Sequence, residues 1–185
     1  MKPDRERWDS RYSGESGDTP SPDLLLIEWG KILTSGRALD LACGRGANSI
    51  FMACRGYWVD ALDISFVALR SLMIRVQDEG LPIGCAAVDL DQYPLPVNFY
   101  DLITVFYFFS RNLIAPIKSA LKRDGLLIYA TFNYNHMSLR PDFCHEYLVP
   151  PGGLGQFFPD LKRILDMEHT GPSNNISQFV GKNHG

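Results

Sequence analysis

Apolar residues run along this chain in short bursts, separated by polar stretches rich in glycine or proline. Ala38-Leu39-Asp40-Leu41, Tyr57 to Leu62, Gly84 to Val88, Leu102 to Phe106 and Leu126 to Thr131 have the length and continuity of buried strands. Between them lie stretches with helical spacing. Residues 47–55 place Ile50, Phe51, Ala53 and Cys54 inward. Ser65 caps a helix that runs to about Asp78 and stops at Gly80-Leu81-Pro82. Residues 112–122 give a third helix. Further upstream, Ser21 as cap and Pro22 as first helical residue predict a helix to about Leu33. The first 20 residues are polar and predict a short helix followed by a flexible connector. Late in the chain, Lys162 to His169 and Ile176 to Gly181 predict two strands. The Thr-Gly-Pro-Ser-Asn-Asn link between them has no room for a helix, so they form an antiparallel hairpin. Strands alternating with helices make an α/β fold, with a mostly parallel sheet covered on both faces.

Composition narrows this further. The 185 residues suit one domain, and 45% hydrophobic with 21% charged residues is a globular balance. Eighteen Lys+Arg against 21 Asp+Glu give a net charge of −3. A broad basic surface for nucleic acid is not expected from that balance. No apolar run reaches the ~18 residues of a membrane span, and the start, MKPDRERWDSRY, has no apolar core of a secretory signal. Cys43, Cys54, Cys85 and Cys144 form no C-x-x-C pair, and are expected as reduced thiols of a cytoplasmic protein. Cys144-His145-Glu146 lacks a second ligand pair at zinc-like spacing, so no metal is expected.

The chemistry concentrates in Leu39-Asp-Leu-Ala-Cys-Gly-Arg-Gly-Ala-Asn48. A strand carries Asp40, and a turn with Gly44 and Gly46 opens a helix where the backbone can approach a ligand closely. The second strand delivers Asp63 and the third Asp89, so three carboxylates reach the C-terminal edge of the sheet, where ligands of open α/β sheets bind. Gly44-x-Gly46-x-x-Ser49 comes close to the dinucleotide fingerprint, yet Asp40 just before the turn would repel a pyrophosphate. The Lys-Ser/Thr of a phosphate loop is absent. S-adenosylmethionine carries no phosphate and is net positive, so an acidic rim suits it better than it suits NAD or ATP.

With Val59-Asp-Ala-Leu-Asp-Ile-Ser65 added, this stretch resembles the class I S-adenosylmethionine-dependent methyltransferases over about residues 5 to 181. The resemblance implies a Rossmann-like three-layer sandwich whose seven strands run 3-2-1-4-5-7-6, strand 7 antiparallel. It implies that Asp40, Gly44 and Gly46 face the methionine part of the cofactor, Asp63 the ribose hydroxyls and Asp89 the adenine amine. Ile64 and Leu90 would border the adenine, and Arg11, Ala42 and Phe106 complete the implied cofactor set. Residues 1–35 would form an N-terminal lid and leading helix, and 36–185 the core. A narrower likeness is to tellurite-resistance-type methyltransferases, themselves related to thiopurine methyltransferases. It rests on Arg7-Trp8-Asp9-Ser-Arg11-Tyr12, on Phe108-Phe109-Ser110-Arg111-Asn-Leu, on Leu127-Ile-Tyr-Ala-Thr-Phe132 and on Arg140-Pro141. Phe108-Phe109 stands where that family carries Leu-His.

Methyl transfer from a sulfonium is an in-line displacement, and a thiolate or chalcogen oxyanion needs little help from a base. No catalytic base is therefore assigned. Tyr107, Arg111 and Arg140 are the candidates for holding a small-molecule acceptor. The Asn/Asp-Pro-Pro-aromatic motif of amino-methylating DNA enzymes is absent. Two other readings stay open: an NAD-type oxidoreductase, and a non-catalytic S-adenosylmethionine-binding module.

Overall fold

Leu39 and Leu41 alternate with Ala38 and Asp40, and all four are buried, as a strand covered on both faces requires. In a computed structural model of the chain, residues 2–14, 21–30, 32, 35–172 and 175–185 are described. The elements are α1 (Lys2–Gly14), α2 (Leu24–Trp29), β1 (Gly36–Leu41), α3 (Ala47–Ala53), β2 (Tyr57–Asp63), α4 (Phe66–Glu79) and β3 (Ile83–Ala87). They continue with β4 (Tyr100–Phe106), α5 (Ile114–Ala120), β5 (Leu121–Phe132), β6 (Lys162–His169) and β7 (Ile176–Lys182). The strands form one seven-stranded sheet in the order β3-β2-β1-β4-β5-β7-β6, the order implied by the sequence resemblance.

The chain divides into two compact units, Met1–Tyr93 and Pro94–Gly185. In the first, β1, β2 and β3 pair in parallel, with Asp40 opposite Ala61 and Asp63 opposite Ala87. Arg37 on β1 donates to Asp60 on β2 at 3.1 Å. The α4 helix buries Ala68, Leu69 and Leu72, a stripe of one face. Ser65 accepts from the Ala68 amide, and Gly80 closes the helix in the left-handed conformation, both as expected from the sequence.

In the second unit β5 pairs in parallel with β4 and antiparallel with β7, and β6 joins β7 antiparallel. The hairpin inferred from the short link is present, with His169 opposite Ile176. Ser173 and Asn174 of that link lie outside the described residues. Tyr129, Phe158 and Phe179 stack in its core, with Phe158 and Phe179 ring centroids 5.4 Å apart.

Several boundaries differ from the sequence expectation. Asp23, not Ser21, caps α2, because its side chain accepts from the Leu25 amide at 2.9 Å; the helix ends at Gly30. Leu33 and the connector over 15–20 lie outside the described residues. On α3, Ile50 and Ala53 are inward, but so is Met52; Phe51 is half-buried and Cys54 is exposed. The helix ends at Ala53, which leaves Cys54 as its C-cap. The 112–122 helix is a 3-10 turn over Arg111–Leu113 followed by α5. β5 begins at Leu121, which pairs with Tyr100 ahead of an irregularity in the ladder. The four cysteines are free.

Candidate functional site

The turn after β1 is built by backbone strain and resolved by glycine. Ala42, Gly44 and Gly46 all have positive φ, at 56°, 54° and 76°. The two glycines answer to different neighbours. A Cβ on Gly46 would stand 2.4 Å from a Leu72 methyl of α4, so Gly46 is demanded by helix packing. A Cβ on Gly44 would stand 2.7 Å from the Tyr12 hydroxyl of α1, so Gly44 makes room for the tyrosine of the N-terminal helix.

Asp63 holds this turn. Its Oδ2 accepts from the Gly44 amide at 2.8 Å, and its Oδ1 accepts from the Ser65 amide at 2.8 Å. One carboxylate therefore ties the glycine turn to the entry of α4. Burial raises its pKa above the usual carboxylate value, against the lowering effect of the Ser65 and Gly44 amides. The Ile64 amide bonds it as well, and an ionised carboxylate has about four acceptor sites, so about one remains for a ligand's donor. The main chain completes the junction: the Cys43 amide donates to Leu62 O and the Val88 amide to Asp63 O.

Asp40 is 1% exposed, and its Oδ2 accepts from the Ser49 hydroxyl at 2.5 Å. It thereby braces the first turn of α3. Ser49, in the third position of the near-dinucleotide fingerprint, is fully buried by the same contact. Asp89 lies two residues beyond the end of β3, which closes at Ala87 and not, as the sequence suggested, next to Asp89. The strand stops at Ala87 because Asp89 O starts a turn, accepting from the Gln92 and Tyr93 amides. Its Oδ1 also accepts from the Asp91 amide at 3.2 Å. Ile64 is half-buried and Leu90 buried on either side. Asp40, the glycine turn, Asp63 and Asp89 thus lie along one edge of the β1–β2–β3 sheet. Cys43, inside the same turn, is buried, and burial, Asp40 and Asp63 raise its thiol pKa well above the ordinary value.

Two contacts of α1 escaped the sequence reading. The Asp9 Oδ1 accepts from the Ser65 hydroxyl at 2.6 Å and from the Val67 amide at 3.2 Å, at the N-terminus of α4. Arg45, 7% exposed, donates to the Tyr12 carbonyl at 2.7 Å. Capping preferences are strongest for neighbours in sequence, and nothing local to Asp9 reveals a cap 56 residues away. Arg11 is exposed, its guanidinium 5.1 Å from the Trp8 ring centre.

In the second unit, Phe106 is buried at the end of β4. Tyr107 follows with φ 55° and is 49% exposed, a strained and open position for a large ring. Arg111 lies over the Phe157 ring at 5.3 Å, and Arg140 pairs with Asp142 at 3.4 Å; both arginines are exposed. Of the three acceptor candidates, Tyr107 sits in a ring cluster absent from the sequence reading. Tyr107 lies 5.4 Å from Phe132, which stacks on His136 at 4.1 Å; Phe143 meets His136 edge-on at 5.2 Å. Among the described residues, no group of three or more His, Cys, Asp or Glu could hold a metal, and no helix is long and apolar enough to cross a membrane.

The profile of a family described as tellurite resistance protein TehB matches residues 19–137. A Haemophilus influenzae protein named probable S-adenosyl-L-methionine-dependent methyltransferase TehB is 30% identical over 100 residues. That segment spans 52% of this chain and 35% of the relative. This chain therefore matches about a third of the relative's length. The crystal structure of TehB from Haemophilus influenzae superposes with a TM-score of 0.75 at 16% identity, covering 95% of this chain and 67% of that one. A protein solved in work on the conversion of a disulfide bond into a thioacetal group during echinomycin biosynthesis superposes with a TM-score of 0.76. It is 16% identical and covers 97% of this chain and 92% of its own. These structural likenesses are likenesses of fold.

Proposed function

The chain belongs to the TehB tellurite resistance family, and on that premise we propose that it is an S-adenosylmethionine-dependent methyltransferase acting on a small-molecule acceptor, a thiol or a chalcogen oxyanion. In this reading the whole chain is one methyltransferase domain, with residues 1–35 as lid and leading helix, and it works in the cytoplasm, which its four free cysteines suit.

The observation that carries the reading is the Asp63 carboxylate. It is fixed by backbone amides and retains acceptor capacity at the edge of the glycine turn. A ribose diol supplies a hydroxyl donor of the kind such a carboxylate can still take. Asp89 serves the adenine amine, between Ile64 and Leu90. Asp40 is engaged by Ser49, so it acts on the cationic methionine end through its charge rather than by direct contact. The same buried charge beneath the turn opposes a pyrophosphate, which supports S-adenosylmethionine over NAD. Ala42 and Gly46 shape the turn, and Arg11 borders the cofactor. When bound, S-adenosylmethionine supplies an activated methyl carbon. The chain's own residues bind it, hold the acceptor in line behind that carbon and exclude water.

Titration calorimetry with S-adenosylhomocysteine tests this. Asp63→Ala is expected to weaken binding by about 1–3 kcal/mol through the lost charged hydrogen bonds. Unchanged affinity would remove Asp63 from the ribose site. Saturation by NADH with no response to S-adenosylhomocysteine would favour the oxidoreductase. Tight cofactor binding without transfer to any thiol, selenite or tellurite would favour a binding module.

A further inference from the structure

The ring cluster at the ends of β4 and β5 contains a histidine whose surroundings set its protonation and its direction. His136 follows β5 in a 3-10 turn over Tyr134–Ser138. Its ring lies 29° from parallel to Phe132 with centroids 4.1 Å apart, and Phe143 closes on it at 84°. Tyr107 extends the row past Phe132. The Nδ1 of His136 is enclosed and has no hydrogen-bond partner. A buried acceptor without a partner is tolerated more readily than a buried N–H without one. The enclosed Nδ1 therefore carries the bare lone pair, and the proton of the neutral ring sits on Nε2. With Nδ1 enclosed and the residue as a whole only half-buried, Nε2 is the ring nitrogen left for a ligand.

The charges around the ring favour the neutral form and an anion beside it. Burial and the Arg140 guanidinium both lower the pKa of His136. Arg140 is the charged group facing His136, and it pairs with the exposed Asp142. Tyr134 and His145 are paired with each other, hydroxyl to Nδ1, at 2.9 Å. No carboxylate bonds to His136 among the described contacts. An Nε2–H donor beside a guanidinium, walled by aromatic rings, can receive an anion that has a soft, polarisable body.

We propose that His136 is a specificity-determining residue of the acceptor site: its Nε2–H, held by Phe132 and Phe143, hydrogen-bonds an acceptor that arrives already ionised, with Arg140 supplying the countercharge. This rests on the methyltransferase reading and deepens it. The site selects acceptors whose nucleophilic atom carries its electron pair from the start. That pair forms the new bond to the methyl carbon, the carbon–sulfonium bond breaks, and its electrons stay on the cofactor's sulfur. No proton has to be removed, so the transfer needs no general base.

Two thiol probes with the full chain separate the outcomes. 5-Thio-2-nitrobenzoate is ionised at neutral pH, whereas 2-mercaptoethanol is mostly protonated. His136→Phe keeps a ring on Phe132 and removes the donor. It is expected to raise KM for 5-thio-2-nitrobenzoate about tenfold, the usual scale for a hydrogen bond to a charged group, with kcat within about twofold. The KM for 2-mercaptoethanol should not move. His136→Gln, which restores a donor, should recover most of the loss. For the native enzyme, KM for the ionised thiol should fall as the pH drops below the ordinary histidine range, because an imidazolium binds an anion more strongly. Both variants should lose that slope. Equal effects on the two probes, a flat native profile, or no transfer to either thiol despite intact S-adenosylhomocysteine binding would overturn the inference. Loss of cofactor binding by the native chain would instead overturn the methyltransferase reading.

Discussion

At the scale of single residues, the glycine turn shows two identical side chains doing different work. Gly46 caps α3 at φ 76° and makes room for Leu72. Gly46→Ala is expected to cost about 2–4 kcal/mol, from left-handed strain and overpacking together. Chemical denaturation of the variant measures it. Shortening the neighbour as well, in Gly46→Ala/Leu72→Ala, should cost less than the two single changes added together, because the second change removes the clash created by the first. Gly44, by contrast, faces only the end of a flexible tyrosine. The sequence made both glycines visible as a ligand turn, but it could not tell packing from approach. That difference depends on which side chain of a distant helix lies opposite. Asp63 and Asp40 were legible as strand-end carboxylates, whereas their partners Ser65, Gly44 and Ser49 became apparent only with the fold.

Among the elements, α1 carries the clearest long-range tether. A helix of this composition has no apolar stripe, and polar helices of 13 residues are marginal alone. Its place is set by Asp9 at the start of α4 and by Arg45 on the Tyr12 carbonyl. Asp9→Ala is expected to cost about 1 kcal/mol, the scale of a lost helix cap. Hydrogen exchange should rise along α1 and in the first turn of α4, and leave β4 and β5 unchanged. If exchange in α1 does not move, Asp9 is not what anchors it. The sequence indicated this helix through Trp8 and Tyr12, but its anchor is a carboxylate whose acceptor duty lies beyond any local pattern. Similarly, Asp23 displaced Ser21 as the cap of α2: both residues can cap, and the choice depends on where the apolar run Leu25-Leu26 is buried.

At the scale of the whole chain, the direction of each strand was legible, because each parallel step needs a crossover and the hairpin link is too short for one, whereas the order of the strands came from the family resemblance. Less legible was the stretch between Phe132 and Lys162, which holds three 3-10 turns and most of the ring cluster. Its residues have no periodicity to betray them, since their contacts are made ring against ring instead of along one face. His136 was missed for that reason.

The sheet order also makes β6 depend on β7. β7 is made after β6, yet lies between β5 and β6, bonding to both. Without β7, β6 has no ladder to join, and the outer edge of β5 is left bare. A chain truncated before Ile176 should therefore be cleaved readily by added protease within Lys162–His169, whereas one that includes β7 through Lys182 should resist there. Resistance of the truncated chain would mean that β6 finds another partner. The strand that closes this part of the sheet is thus β7, and any chain that lacks it exposes an open sheet edge.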